Sequence, residues 1–187
     1  MRFAVRPADI DETPRADEPP RDYVLRLARE KATVRAEAGE VVLAADTVVV
    51  LDGEILGKPK DGEDARRMLE RLSGRWHEVL TGIALAERIE QIPGGELRLV
   101  SLVSDVVETR VRMARLSGEE IAWYVATGEP SDKAGAYAIQ ELGALFVEGI
   151  EGNHSNVVGL PIPGTYRLFT ELGYDLLSFR DGLSPRT

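Results

Sequence analysis

The sequence predicts an α/β fold built on a mixed β-sheet with flanking helices. Three observations carry that reading. The valine-rich run Val41–Leu51 is followed at once by Asp52-Gly53, a strong two-residue hairpin signal. Segments with apolar residues at helical spacing fall between the strand-like runs. The alternation of the two is irregular, which argues against a regular doubly wound sheet.

Each element has its own justification. Residues 6 to 20 are rich in Pro, Asp and Glu and read as a loop. Pro19-Pro20 opens a predicted helix over about 21–36, with Val24, Leu27, Ala28 and Ala32 on one face and Gly39 beyond its end. Val41–Leu51 is a buried strand, and Glu54-Ile55-Leu56 is its return across the hairpin. Asp61 reads as the cap of a second helix, whose apolar face is Ala65, Met68, Leu69 and Leu72 and whose stop is Gly74. Residues 76–86 form a strand, Pro93-Gly94-Gly95 a turn, and 97–113 one or two further strands. In the last of these, Val107, Thr109, Val111 and Met113 alternate with Glu108, Arg110 and Arg112, so one face is wet. Ser117-x-x-Glu120 is a capping box for a helix reaching about Thr127. Residues 144–150 read as a short strand and 164–172 as the last helix, with Gly173 behind it.

Composition narrows the chemistry. The chain has 187 residues, 43% hydrophobic and 29% charged, which fits one soluble domain with a real core. It has no cysteine, so disulfides, zinc–thiolate sites and a cysteine nucleophile are excluded. Two histidines far apart, His77 and His154, cannot build a histidine metal cage, and neither is assigned a role. Any metal would be hard and oxygen-bound, such as Mg²⁺ or Mn²⁺. The net charge of −9 disfavours nucleic-acid binding but leaves room for a small phosphate ligand. No apolar run is long enough to span a bilayer, and Asp9, Asp11 and Glu12 follow too soon for a signal peptide. A cytoplasmic location is expected.

A few residues could carry chemistry. Asp46 lies among aliphatics in Leu43-Ala44-Ala45-Asp46-Thr47-Val48, where an ionised carboxylate is costly unless paired or bound to a metal. A strand-end Asp bonded to a nearby turn is the alternative. Lys58 in Gly57-Lys58-Pro59 is a point charge on a rigid turn, suited to phosphate, or else a solvated loop lysine. The small residues of Ser131-Asp132-Lys133-Ala134-Gly135-Ala136-Tyr137 would let backbone amides approach a ligand, or else make a tight turn. Gln140 could read a base edge through its amide, or sit on a surface strand. Glu12 and Lys31, taken singly, are solvated charges. No P-loop, Gly-x-Ser-x-Gly or nucleophilic triad pattern occurs.

Taken together and in order, several stretches resemble the Maf family of nucleotide pyrophosphatases. They are Asp11-Glu12; Leu27-Ala28-Arg29-Glu30-Lys31-Ala32; Ala45-Asp46-Thr47-Val48-Val49; Gly57-Lys58-Pro59; Leu72-Ser73-Gly74-Arg75 with His77, Val79 and Thr81-Gly82; Tyr124 with Gly128-Glu129-Pro130; Asp132 to Tyr137; and Asn156-Val157-Val158-Gly159-Leu160-Pro161. The resemblance implies an elongated mixed sheet in two lobes around a nucleotide cleft, as in the related inosine triphosphate pyrophosphatases. It implies hydrolysis of a nucleoside triphosphate to the monophosphate and pyrophosphate, aided by a divalent metal cation, Mg²⁺ or Mn²⁺. Asp46 would be the base, Lys31 and Lys58 would offset phosphate charge, and Asp46 with Glu12 would hold the metal. Thr47, Gln140 and Lys133 would bind substrate and set specificity. Ala136-Tyr137-Ala138-Ile139-Gln140 resembles the subgroup acting on dTTP and UTP rather than on purine nucleotides. Members of the family often form homodimers.

Two departures from the family pattern stand out. Its members open with a strand and a Ser-x-Ser-Pro-Arg-Arg loop that binds the triphosphate. Met1-Arg2-Phe3-Ala4-Val5 matches the segment after that loop, and Ser184-Pro185-Arg186 is only a superficial echo. The expectation is a single Maf-like domain over residues 1–187 lacking that strand and loop. Ala138 and Glu141 stand where the family often has glycines. The competing reading is a non-catalytic nucleotide- or partner-binding protein linked to cell division and septum formation.

Overall fold

The computed structural model describes residues 3–37, 39–91 and 97–178. The predicted turn at Pro93-Gly94-Gly95 and the tail Ser184-Pro185-Arg186 lie outside them, as do Met1 and Arg2. Five strands, β1 (Val41–Leu51), β2 (Glu54–Leu56), β3 (Trp76–Gln91), β4 (Leu97–Met113) and β5 (Val147–Glu151), form one sheet in the order β2-β1-β3-β4-β5. The helices are α1 (Pro20–Arg35), α2 (Gly62–Leu72), α3 (Gly118–Ala126), α4 (His154–Val158) and α5 (Ile162–Glu171). No helix among the described residues is long and apolar enough to cross a membrane.

The α/β class with flanking helices holds, and the pairs β1–β2 and β4–β5 of the sheet are antiparallel. Parallel neighbours need a crossover connection. Here Asp52 and Gly53, at φ 55° and 82°, turn β1 straight back into β2, so Val50 faces Ile55. The chain then passes through α2 and returns as β3 on the other side of β1.

The residues fall into two compact units. The first takes the described residues up to Asp46, Gly82–Val106, and those from Ile162 on. Its α1 buries Val24, Leu27, Ala28 and Ala32 completely, the face the spacing predicts. Ala28, Ala32 and Ala36 pack with Ala84 and Ala86 of β3. The small side chains bring helix and strand so close that a Cβ on Gly82 would lie 2.2 Å from the Val24 carbonyl oxygen.

The second unit holds Thr47–Thr81 and Val107–Pro161. Its core joins Val49, Leu51, Leu69, Leu72, Val111 and Tyr124 with others. Asp61 caps α2 by accepting from the Asp64 amide at 2.8 Å, and Ser117 with Glu120 closes the predicted capping box on α3. Both tryptophans lie here. The Arg110 guanidinium sits 4.9 Å from the Trp76 ring, and Trp123 meets Phe146 edge-on at 6.3 Å.

Element boundaries shift at the end of β3 and around residues 144–150, while 97–113 keeps its expected bounds. β3 runs on to Gln91, because pairing uses backbone groups that the polar residues after Ala86 do not interrupt. Residues 97–113 form one strand. The strand expected over 144–150 is a 3₁₀ turn over Leu142–Phe146 followed by β5. The Ala144 amide closes that turn on the Glu141 carbonyl at 3.1 Å, and the amides of Leu142 and Gly143 donate to the Glu129 carboxylate.

Candidate active site

In the first unit, three predicted residues meet. The Lys31 ammonium of α1 lies 2.7 Å from an Asp46 carboxylate oxygen of β1 and 2.7 Å from a Glu12 carboxylate oxygen. The Asp46 and Lys31 side chains are only 12% and 18% exposed, so water screens their attraction weakly. Burial acts to lower the Lys31 pKa, but the hydrogen bonds and charges of Asp46 and Glu12 outweigh it and hold the pKa above the ordinary lysine value. Lys31 is therefore a cation at neutral pH.

The loop that delivers Glu12 is fastened to α1. Tyr23 donates its hydroxyl to the Glu12 carbonyl at 2.8 Å. Arg26 pairs with Glu18 at 2.6 Å, both nearly buried, and its guanidinium holds the Glu18 carboxyl down at about 2. Arg26 also donates to the Thr13 carbonyl. A Pro- and acid-rich segment thus gains a fixed course from side chains one and two turns into the helix.

In the second unit, the other four predicted residues line one pocket of about 270 Å³: Thr47, Lys58, Lys133 and Gln140. Gly135 donates its amide to the Gly57 carbonyl at 3.0 Å, which ties the Lys58 loop to the Lys133 turn. Lys133 pairs with Asp132 at 2.9 Å. That bond is the main reason the Asp132 carboxyl lies below its usual range, and the Lys58 charge adds a smaller pull. Lys58 is exposed and has no ion-pair partner among the described residues.

Gln140 is exposed, on a bend rather than a strand. Its loop is held from behind. Glu129 accepts from the amides of Leu142 and Gly143, both at 2.9 Å, and from the Tyr124 hydroxyl at 2.8 Å. The same hydroxyl accepts from the Ala138 amide at 3.1 Å. Burial acts to raise the Glu129 pKa, and these donors outweigh it and bring the carboxyl below its ordinary value. A Cβ on Gly143 would lie 2.5 Å from that hydroxyl, so only glycine fits.

Of the small residues before Tyr137, Ala134 lines the pocket while Gly135 and Ala136 pack inside. Gly135 and Ala136 are buried at φ 67° and 58°, and a Cβ on Gly135 would come within 2.9 Å of Val49. Behind the pocket, Thr47 and Thr81 hydroxyls lie 2.9 Å apart, and Thr81 donates to the Asn156 carbonyl at 3.2 Å. His77 is assigned no role by its sequence spacing, yet its Nε2 lies 2.7 Å from the Tyr137 hydroxyl. Burial lowers the His77 pKa to about 4, so the ring is neutral at pH 7. The 60 residues between these partners leave no local signal of the pair.

The structure thus gathers the seven predicted residues into two groups, joined in sequence at Asp46-Thr47 on β1. Residues 1–172 match the family model for Maf-like protein. The chain belongs to the Maf-like family. Among its relatives, a dTTP/UTP pyrophosphatase of Anaeromyxobacter dehalogenans (strain 2CP-C) is 59% identical over 176 residues, covering 94% of this chain and 86% of that protein. A dTTP/UTP pyrophosphatase of Myxococcus xanthus is 53% identical over 94% of this chain and 85% of its own length. One from Hahella chejuensis is 49% identical, with the same two coverages.

Proposed function

We propose that this chain is a nucleoside triphosphate pyrophosphatase that hydrolyses dTTP and UTP to the monophosphate and pyrophosphate. The names of relatives 49–59% identical over 94% of the chain support that reading. The observation that carries it is the pocket where Thr47 and Gln140 supply neutral hydrogen-bonding groups beside the ammonium groups of Lys58 and Lys133. A uracil or thymine base needs the first kind of group and a phosphate chain the second.

Asp46 orients the water that attacks the α-phosphorus and takes up its proton. Lys31 and Lys58 offset the negative charge that builds on the phosphate. The donor set suits a hard divalent cation, since the Asp46 and Glu12 carboxylates already converge on one positive charge, the Lys31 ammonium. These two would hold Mg²⁺ or Mn²⁺, with the remaining oxygens coming from water or substrate, because no cluster of three His, Cys, Asp or Glu occurs among the described residues. A bound metal supplies Lewis acidity and charge neutralisation. We place the activity in the cytoplasm, in a single Maf-like domain that forms a homodimer.

The test is pyrophosphate release by the full chain from dTTP, UTP and methylated GTP with Mg²⁺ or Mn²⁺. Release from dTTP and UTP, abolished by a chelator and restored by excess metal, is expected. Faster release from methylated GTP, or none from any of them, overturns the reading.

A further inference from the structure

The pocket has two neutral groups available to a base, Gln140 and Thr47, and they differ in freedom. Gln140 is exposed and makes no hydrogen bond among the described residues. Its amide carries both a donor and an acceptor, and turning it end for end exchanges them. Alone it can match an imide or an aminopyrimidine edge equally well. Discrimination between the two needs a group of fixed polarity.

Thr47 is such a group. The two hydroxyl hydrogens of Thr47 and Thr81 have three contacts to satisfy. Thr47 and Thr81 oxygens lie 2.9 Å apart, Thr81 reaches the Asn156 carbonyl at 3.2 Å, and Thr47 reaches the Gly159 carbonyl at 3.5 Å, the outer limit of a hydrogen bond. Thr81 and Asn156 are fully buried, so no water competes. The two shorter contacts use both hydrogens if Thr81 donates to Asn156 and Thr47 donates to Thr81. The Thr47 oxygen is then left with lone pairs only.

We propose that Thr81 is a positioning residue which, with the Asn156 carbonyl, fixes the Thr47 hydroxyl as a hydrogen-bond acceptor toward the pocket, so that the site selects a pyrimidine with a ring N–H over one with a bare ring nitrogen. Uracil and thymine present that N–H. Cytosine presents a lone pair in its place, and two acceptors facing each other repel. The inference rests on the pyrimidine reading of the pocket and names the rule by which it rejects cytidine nucleotides.

The experiment measures binding of UMP and CMP by calorimetry, using the full chain and its Thr81→Val and Thr81→Ser variants. Wild type is expected to favour UMP by roughly tenfold or more, the usual worth of one hydrogen bond in a desolvated site. Thr81→Val keeps the shape but removes the near acceptor for the Thr47 hydrogen, which is left with only the long 3.5 Å contact to the Gly159 carbonyl and can turn into the pocket. The preference should fall to within about threefold, while Thr81→Ser should retain it. An unchanged preference in the valine variant, its loss in the serine variant, or no preference in wild type overturns the proposal. If circular dichroism finds the valine variant unfolded, Thr81→Ala reads the same ratio. Pyrophosphate release from UTP by wild type is scored separately. Release with a ratio insensitive to Thr81 sinks the relay alone, and a UMP preference without release sinks the activity alone.

Discussion

The two groups of candidate residues solve opposite problems. In the Lys31 group the charges are in direct contact, one ammonium between two carboxylates at 2.7 Å each, with one negative charge in excess. In the Thr47 pocket two lining groups, Thr47 and Gln140, are neutral, and an exposed ammonium, Lys58, lies on the wall. The first arrangement keeps charge in a poorly hydrated place where an unpaired ion would be expensive. The second leaves groups ready for a ligand. The two groups meet in sequence at Asp46-Thr47.

Replacing Asp46 by Asn should break the contrast most severely. The amide cannot take a proton, and kcat for dTTP should fall by about 10³-fold, with the far-ultraviolet spectrum unchanged. A variant that kept full turnover would remove Asp46 from the chemistry. Next in size is a pH effect behind the pocket. The folded state holds His77 at about 4, below the ordinary 6.5, so the unfolded chain binds more protons between those values. Stability is therefore complete above about pH 6.5 and falls as the pH drops toward 4, by about 3 kcal/mol at most. Urea unfolding at pH 7 and pH 4.5 measures the loss, and His77→Gln should flatten it.

A smaller effect sharpens the neutral side of the comparison. Glu129→Gln replaces one of two accepting oxygens with a donor, so the Ala138–Gly143 backbone loses a tether. The KM for UTP should rise roughly five- to tenfold while kcat stays within about twofold. Equal losses in both would mean that Glu129 acts on the chemistry instead. Smallest of all is the exposed pair Arg75–Asp52, 2.7 Å apart with side chains 46% and 63% exposed. Arg75→Ala should cost about 0.5 kcal/mol or less in the same urea assay. That value is the baseline against which Lys31→Met should prove far more disruptive.

What could be read from residue order follows the range of the interaction. Capping by Asp61 and Ser117, the Asp52-Gly53 turn and the buried face of α1 all depend on residues within a few positions, and each holds in the structure. The Glu129 tether spans 14 residues and the Thr81–Asn156 bond 75, so neither leaves a periodic trace. The strand expected over 144–150 begins late, since its apolar content was legible but the 3₁₀ turn over Leu142–Phe146 was not. For the site, the resemblance marked all seven candidates, while Glu129 and Thr81, which hold the pocket's loop and Thr47, and the buried His77 carried no role.

Both tryptophans, Trp76 and Trp123, belong to the unit that contains Thr47–Thr81 and Val107–Pro161, and the other unit has none. Indole emission therefore reports on one unit alone, through the stacked Arg110 over Trp76 and the edge contact of Trp123 with Phe146. Ellipticity, by contrast, also registers α1 and α5 of the unit without indoles. The chain is thus a built-in two-colour melt. Superimposed fluorescence and ellipticity curves would mean that it unfolds in one cooperative step, and separated curves would assign each unit its own midpoint.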